Sequence, residues 1–442
     1  MRKILVAFAM LAFLVDCLGA RAQTSSPDRV SVTERLWIAS KIYASVQLYF
    51  AHWQAVPDLD LDSLYKHYLD QIAHSDDRQA FDLASLEFLA AFKNGHTEFY
   101  DAWLRDNYGQ PLGFSLTKVD SQWVVTSSQI KDLPLGEVVE AIDDIAFEQF
   151  FEQKRKYISE SSERAQRFSL FYSSHLFPES FVLHMKDGRT VHIDRKGQQL
   201  LPAPSVHWEA RMLTTDVAYV RIPSFEDPEN ETKAVEFLKT HAKISAVIFD
   251  VRGNGGGSTP SNLLRALMDR PYRDWTQAST LNIGLFAAYD HLSDAVSPDQ
   301  FDERTRGYFD AFKEYFRWPQ FVARGVLVKP ENPIFTGKVL VLADSGCASA
   351  CEDFVMPVKF SHRGTILGDM TYGSSGQPFL YKFDNGMGFR VGAKRLLLPD
   401  GSEFEGVGIA PDVLIQPSIG DIQKGVDVVL NRAMVMAGLS GG

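Results

Sequence analysis

Two apolar, β-branched runs each open directly onto a turn of small residues. Ala246–Val251 leads into Gly253-Asn254-Gly255-Gly256-Gly257, and Val339–Ala343 leads into "SGCASACEDF", Ser345 to Phe354. Both runs read as buried strands. Thr259-Pro260 after the first turn reads as an N-cap and first helical position. Ala348–Met356 after the second reads as a helix, with Pro357 close to its end. Val217–Ile222 and Thr365–Gly368 add two further strands, and an Asn385-Gly386 hairpin sits between alternating Phe379, Tyr381, Phe383 and Met387, Phe389, Val391. Alternating strands and helices define an α/β domain over 206–442. Within it, 272–336 is an aromatic-rich insertion ("GYFDAFKEYFRWPQF"), expected to form an amphipathic helical cap.

Upstream the pattern differs. Residues 23–105 read as a helical subdomain: Ser31-x-x-Glu34 is a capping box, followed by Leu36, Ala39, Tyr43, Val46 and Phe50 at helical spacing. Leu61, Leu64, Tyr68 and Ile72 follow, then a run from Phe81 to Phe92 that stops at Lys93-Asn94-Gly95, with Gly95 suited to a C′ cap. His96 comes next and is thus expected at the end of a rigid element. Residues 106–205 are richer in strands and turns ("PLGFSLTKVDSQWVVTSS", "LGEVVEAIDD", and a hairpin at Asp187-Gly188), with a helix expected over the charged stretch Phe147–Arg167.

At 442 residues the chain is too long for one ordinary core, which agrees with several domains. Its formal charge of −11 disfavours nucleic acid or anionic lipid as a partner, since phosphate binding needs clustered Lys and Arg. Residues 1–22 are expected to be a signal peptide: Arg2 and Lys3, the apolar Ile4–Val15, then Ala20-Arg21-Ala22 as a small-x-small cleavage site. The apolar run is too short to span a bilayer, and no later run is long enough. Asp16 before Cys17 is wrong for a lipoprotein signal. Export to the periplasm or medium would leave Cys347 and Cys351, an even count in an oxidising compartment. They read equally as a disulfide fixing the turn around Ser349 or as two small side chains at a tight crossing. Inside a regular helix residues four apart are too distant for an S–S bond, so a disulfide requires Cys347 to precede the helix.

Ser349 follows a buried strand and opens a helix, so its hydroxyl lies at the positive helix end, with backbone N–H groups near a developing oxyanion. The Gly253–Gly257 turn has no side chains to block close approach and offers a second set of amides. A serine nucleophile needs a base. His96, at a helix end, and His362, nearer in sequence, are both candidates, and the sequence alone does not choose between them. A dinucleotide site is disfavoured because Ser258 stands where the third glycine would be. A zinc site is disfavoured because no His-Glu-x-x-His occurs and Cys347 and Cys351 lack a second pair.

"VIFDVRGNGGG" with "VLVLADSGCASACEDF", "GTILGDMTYGSSGQP" and "LPDGSEFEGVGIAPDV" resembles the C-terminal-processing (tail-specific) serine peptidase family, in the family's order. "LAAFKNGHTEF" resembles its helix-ending Gly-His-Thr, and "PLGFSL" with "GEVVEAIDD" its PDZ-like domain. The resemblance implies a catalytic domain of the ClpP/crotonase-like β-β-α superhelix. It makes Ser349 the nucleophile, with the amides of Gly255, Gly256 and Ala350 as oxyanion hole and no cofactor or metal. The departure is at the family's Thr-Phe-Gly-Lys-Gly, where Thr371-Tyr372-Gly373-Ser374-Ser375-Gly376 has no lysine to act as base. The tricorn-core-like branch uses a histidine and a glutamate instead. That pattern points to His96 as base and to Glu405, in Glu405-Gly406-Val407-Gly408-Ile409-Ala410-Pro411-Asp412, as its orienter, although the serine that precedes the tricorn histidine is Gly95 here. Asp250, Arg252 and Asp412 are assigned structural duties. A PDZ-like domain at 106–205 is expected to hold an extended peptide or unfolded-protein substrate by its carboxylate near Leu112-Gly113-Phe114, or to be a spacer that has lost that ability. The expected activity is peptide-bond hydrolysis through an acyl-enzyme; the alternative is an inactive peptide- or ligand-binding scaffold of the same fold.

Overall fold

In the computed structural model, residues 28–74, 76–197, 199–202, 207–280, 320–323 and 325–439 are described. The leader at 1–22 and the middle of the 272–336 insertion lie outside the described residues. The strands read at the two small-residue turns are neighbours in one sheet. Its order is Val413–Leu414, Gly364–Gly368, Lys338–Ala343, Ala246–Asp250, Val217–Arg221, Glu209–Met212, all parallel except the last pair. Along the two central strands Val247, Phe249, Val339 and Val341 pack into one core with Leu238, Leu267, Phe354 and Val355. Ile248, Leu340 and Leu342 pack the opposite way with Val429 and Ala433. Burial on both faces is why these strands read as uninterrupted apolar runs. Because Asp250 pairs with Leu342, both strands end at the same edge, and their turns lie side by side at the carboxyl end of the sheet.

The first helices, Val32–Tyr49, Leu61–Ala73 and Arg78–Ala90, are N-capped by Ser31, Asp60 and Asp77, whose side chains accept from first-turn amides. Their core is completed from far along the chain. The predicted Asn385-Gly386 hairpin forms, and its strand Met387–Gly392 pairs with Glu98–Asp101, placing Met387, Phe389 and Val391 among Phe81, Phe88 and Phe92. This pairing fixes the chain just after His96 against the hairpin strand.

The β-rich part is an antiparallel sheet with Phe114–Val119 at one edge and Thr190–Asp194 at the other. The charged stretch expected to be one helix is two, Phe147–Lys154 and Glu163–Leu170. The break is polar chemistry: Ser162 caps the second helix by accepting from Ala165 N–H, while Ser159 donates to the Thr97 carbonyl. The ends of the 272–336 insertion also differ from expectation. Thr276–Thr280 and Gln320–Ala323 are strands that pair with each other, and Thr276–Thr280 also pairs with Arg395–Leu397, so these described parts of the insertion are sheet. Among the described residues no helix is long and apolar enough to cross a membrane.

Candidate active site

Ser349 is the N-cap of the helix Ala350–Phe360, with φ 54° and ψ −121°. A non-glycine residue in that region costs about 1–3 kcal/mol and persists only when its surroundings over-determine it. They do. The Ser349 N–H donates to the Ser374 carbonyl at 3.0 Å and to Glu352 Oε2 at 3.2 Å. Glu352 is fully buried and also accepts from Thr371 Oγ1 (2.6 Å), Gly373 N (2.8 Å) and Ser374 N (3.2 Å), so one carboxyl ties the nucleophile's helix to the 371–374 loop. Burial pushes that carboxyl up to about 8 despite these donors. On the other side Gly256, at φ 101°, packs so closely that a Cβ there would lie 2.7 Å from Ser349 Cβ. A disulfide joins Cys347 to Cys351 across the nucleophile with 5.3 Å between Cα atoms. Cys347 lies in the turn, before the helix starts, which meets the geometric condition for the bond.

Three amides are assigned to the oxyanion hole. Among the described residues no acceptor is bonded to the N–H of Ala350, the first residue of the helix, or to that of Gly255. The Gly256 N–H, by contrast, donates to Asn254 Oδ1 at 3.0 Å. Asn254, fully buried, folds back on the turn and takes up that donor.

His96 Nδ1 stands 2.7 Å from Ser374 Oγ, and Ser374 Oγ donates to Glu405 Oε1 at 2.7 Å. With the hydroxyl proton directed to the carboxylate, the imidazole carries its proton on Nδ1 and donates to Ser374 Oγ, leaving Nε2 as the basic nitrogen. Glu405 Oε1 also accepts from Asn94 Nδ2 (2.7 Å) and Ser161 Oγ (2.6 Å), and Ser161 Oγ in turn accepts from Gly95 N (3.0 Å). Ser374 thus touches both sides of the site: its hydroxyl bonds His96 and its carbonyl bonds Ser349 N–H. His96 is held neutral, lowered to about 3 by burial first and then by Arg390, His52 and Lys394. Glu405 is raised to about 7, again chiefly by burial, with Ser161 and Ser374 pulling it down. His362 is exposed at the opposite end of the helix that Ser349 caps, about 16 Å away for 11 residues, and is out of reach.

The residues that sequence reasoning missed are Asn94, Ser161 and Glu352, together with the positive role of Ser374. Ser374 was visible only as the absent lysine. Gly95 is explained by the same packing: a Cβ there would lie 2.9 Å from Ser374 Oγ and 2.8 Å from Glu160 Oε2. Ser161 comes from the β-rich part and has no local signature. Asp250 is fully buried and gripped by Arg252, which also holds Asp427, while Asp412 accepts from Ile366 N and Lys359. The Asp250 and Arg252 contacts brace the Gly253–Gly257 turn.

A cleft of about 940 Å³ lies between the edge strand Phe114–Val119, Phe168 and Phe171, and the strand ends at Ala343–Ser345. Leu112, Gly113 and Phe114 line it, although the side chains of Leu112 and Phe114 are buried in the β-rich core. Gly113 has φ 74°, and a Cβ there would lie 2.3 Å from Leu200 Cδ2, so glycine is required.

Comparisons with known proteins bear on the fold that carries this geometry. Residues 216–415, the α/β part, match the family model described as peptidase family S41. That segment is therefore similar to the peptidases of this family. The chain is 26% identical over 208 residues to the chloroplastic C-terminal processing peptidase of Tetradesmus obliquus, covering 46% of this chain and 36% of that one. It is 25% identical over 103 residues to the carboxy-terminal-processing protease of Bartonella bacilliformis, covering 23% of this chain and 24% of that one. The matches thus span about a third or less of these relatives' length. The fold is similar to that of mature CPAF over 91% of this chain and 96% of that one, with a TM-score of 0.68 at 15% identity.

Proposed function

We propose that the chain is an exported serine endopeptidase or carboxyl-terminal-processing-type peptidase. In this reading Ser349 Oγ attacks a peptide carbonyl and passes its proton to His96 Nε2. The oxyanion is met by the N–H groups of Gly255 and Ala350, and His96 then protonates the leaving amine as the acyl-enzyme forms. Water, deprotonated by His96, releases the acid and restores the hydroxyl. Ser374 and Glu405 hold the imidazole in the Nδ1–H tautomer and stabilise it when charged, replacing the lysine of the processing-peptidase branch.

The observation that carries the reading is the chain His96–Ser374–Glu405, together with the bond from the Ser374 carbonyl to the Ser349 N–H. Residues 23–105 supply His96 in this scheme, the PDZ-like 106–205 supplies Ser161 and the peptide edge at Leu112–Phe114, and 206–442 supplies the nucleophile. An extended peptide adding to the edge strand Phe114–Val119 enters the cleft that reaches Ser345. Incubation of an unfolded polypeptide with the chain and with its Ser349→Ala and His96→Ala variants tests this. Cleavage by the parent alone supports it; equal cleavage by all three, or none by the folded parent, rejects it.

A further inference from the structure

One carboxylate outside the chain from His96 to Glu405 touches every wall of the site. Asp353 stands one turn beyond Ser349 on the helix Ala350–Phe360, and its N–H donates to the Ser349 carbonyl at 3.1 Å. Its two oxygens accept from three side chains that lie far apart in the sequence. Thr259 Oγ1 donates to Oδ2, while Trp275 Nε1 and Ser375 Oγ donate to Oδ1 at 3.0 Å and 3.2 Å.

Each donor is attached to a different part of the proposed machinery. Thr259 follows the Gly253–Gly257 turn, which carries the Gly255 amide and is held from its other side by Phe225: Phe225 N donates to the Gly256 carbonyl at 2.9 Å and Ser258 N to the Phe225 carbonyl at 3.0 Å. Ser375 is buried and directly follows Ser374, which bonds His96 through its hydroxyl and Ser349 N–H through its carbonyl. Trp275 is buried against Phe404, with ring centroids 4.7 Å apart, and Phe404 directly precedes Glu405. An apolar residue at 353 would leave the buried indole N–H and the Ser375 hydroxyl without this acceptor, and a carboxylate bonds such donors roughly twice as strongly as a neutral oxygen. An acid in the first turn of a helix is stabilising by itself. That interaction needs no donor, let alone one from each wall.

Resting on the peptidase reading above, we propose that Asp353 is a positioning residue for the reaction, holding the turn that bears the Gly255 amide and the loop that bears Ser374 in register with the helix that bears Ser349. It acts through Thr259 and Ser375 and touches none of the reacting atoms.

The test removes the donors rather than the acid. Thr259→Val and Ser375→Ala each delete one hydroxyl and leave the carboxylate in place; Asp353→Asn keeps an acceptor on one atom only. Peptide cleavage and thermal midpoint are measured for each, and for both donor variants combined with Asp353→Asn. The ring N–H resonances of His96 and Trp275 are followed in protein labelled with 15N histidine and tryptophan, assigned with His96→Ala and Trp275→Phe. Each donor variant is expected to lose kcat about tenfold at unchanged KM, the scale of a small misplacement of catalytic groups. Combined with Asp353→Asn, neither should lower kcat below Asp353→Asn alone, because the same contacts are already lost. Asp353→Asn and Ser375→Ala should both shift the His96 resonance. Full kcat in both donor variants, losses that multiply independently with Asp353→Asn, or losses that only follow the thermal midpoint overturn the proposal. If the folded parent neither cleaves nor is labelled at Ser349, the hydrolase reading falls and the His96 resonance alone decides: a shift in Asp353→Asn and Ser375→Ala upholds the positioning, and an unmoved resonance overturns it.

Discussion

Glu405→Gln separates the stability of the site from its chemistry. Burial raises the folded Glu405 carboxyl to about 7 from an ordinary 4.5. Its protonated form is therefore favoured by folding. The associated stabilisation is fully present below pH 4.5 and is lost as pH rises through 7. A shift of that size corresponds to about 3 kcal/mol, at about 1.4 kcal/mol per unit. A glutamine carbonyl accepts the same bonds from Asn94, Ser161 and Ser374 and does not ionise. The variant and the parent should therefore unfold at similar midpoints at pH 5, while at pH 9 the variant should be more stable by up to about 3 kcal/mol. Glu352, raised to about 8, titrates in both proteins and cancels to first order. Activity should move the other way. The parent's rate should rise with pH as Glu405 ionises through about 7, and Glu405→Gln should lose about 100-fold or more at pH 8, the scale of general acid–base assistance. Thermal or urea midpoints at the two pH values, with peptide cleavage on the same samples, decide the matter. A variant no more stable than the parent at pH 9 would refute the reasoning, because the buried carboxylate would then be fully compensated.

Other substitutions probe single contacts. Ser374→Ala removes the hydroxyl between His96 and Glu405 but leaves the carbonyl bond to Ser349; kcat should fall about 100-fold with little change in KM, and Ser374→Thr should retain part of the rate. Gly256→Ala places a Cβ 2.7 Å from Ser349 Cβ at φ 101°, so a loss of about 1–3 kcal/mol in unfolding free energy and a collapse of activity are expected; an active, equally stable variant would contradict the packing. Replacing Cys347 and Cys351 together by alanine removes a short-loop cross-link and should cost about 2 kcal/mol, and thiol titration of the unreduced parent should find neither cysteine free.

The α/β core was legible because its strands are buried on both faces and end in turns whose glycines and small residues have positional meaning. His96 and Glu405 were legible as motif members. What joins them was not, because Ser374, Asn94 and Ser161 are ordinary polar residues. Ser161 and Glu405 are 244 positions apart and meet only through folding. The bond from the Gly256 amide to Asn254 was not legible, since that side chain looks from sequence like any turn asparagine. The hairpin at Asn385-Gly386 was predicted, but not its insertion among the N-terminal helices. Aromatic alternation reports a buried face without saying what buries it.

The central claim is that Ser349 is a nucleophile activated by a histidine which Ser374 and Glu405 orient. Labelling the purified protein with a fluorophosphonate probe and mapping the modified residue by mass spectrometry tests it most directly. The account predicts modification at Ser349, abolished in Ser349→Ala and His96→Ala and strongly slowed in Ser374→Ala. An unlabelled but folded protein, or labelling that persists undiminished in His96→Ala, would contradict it.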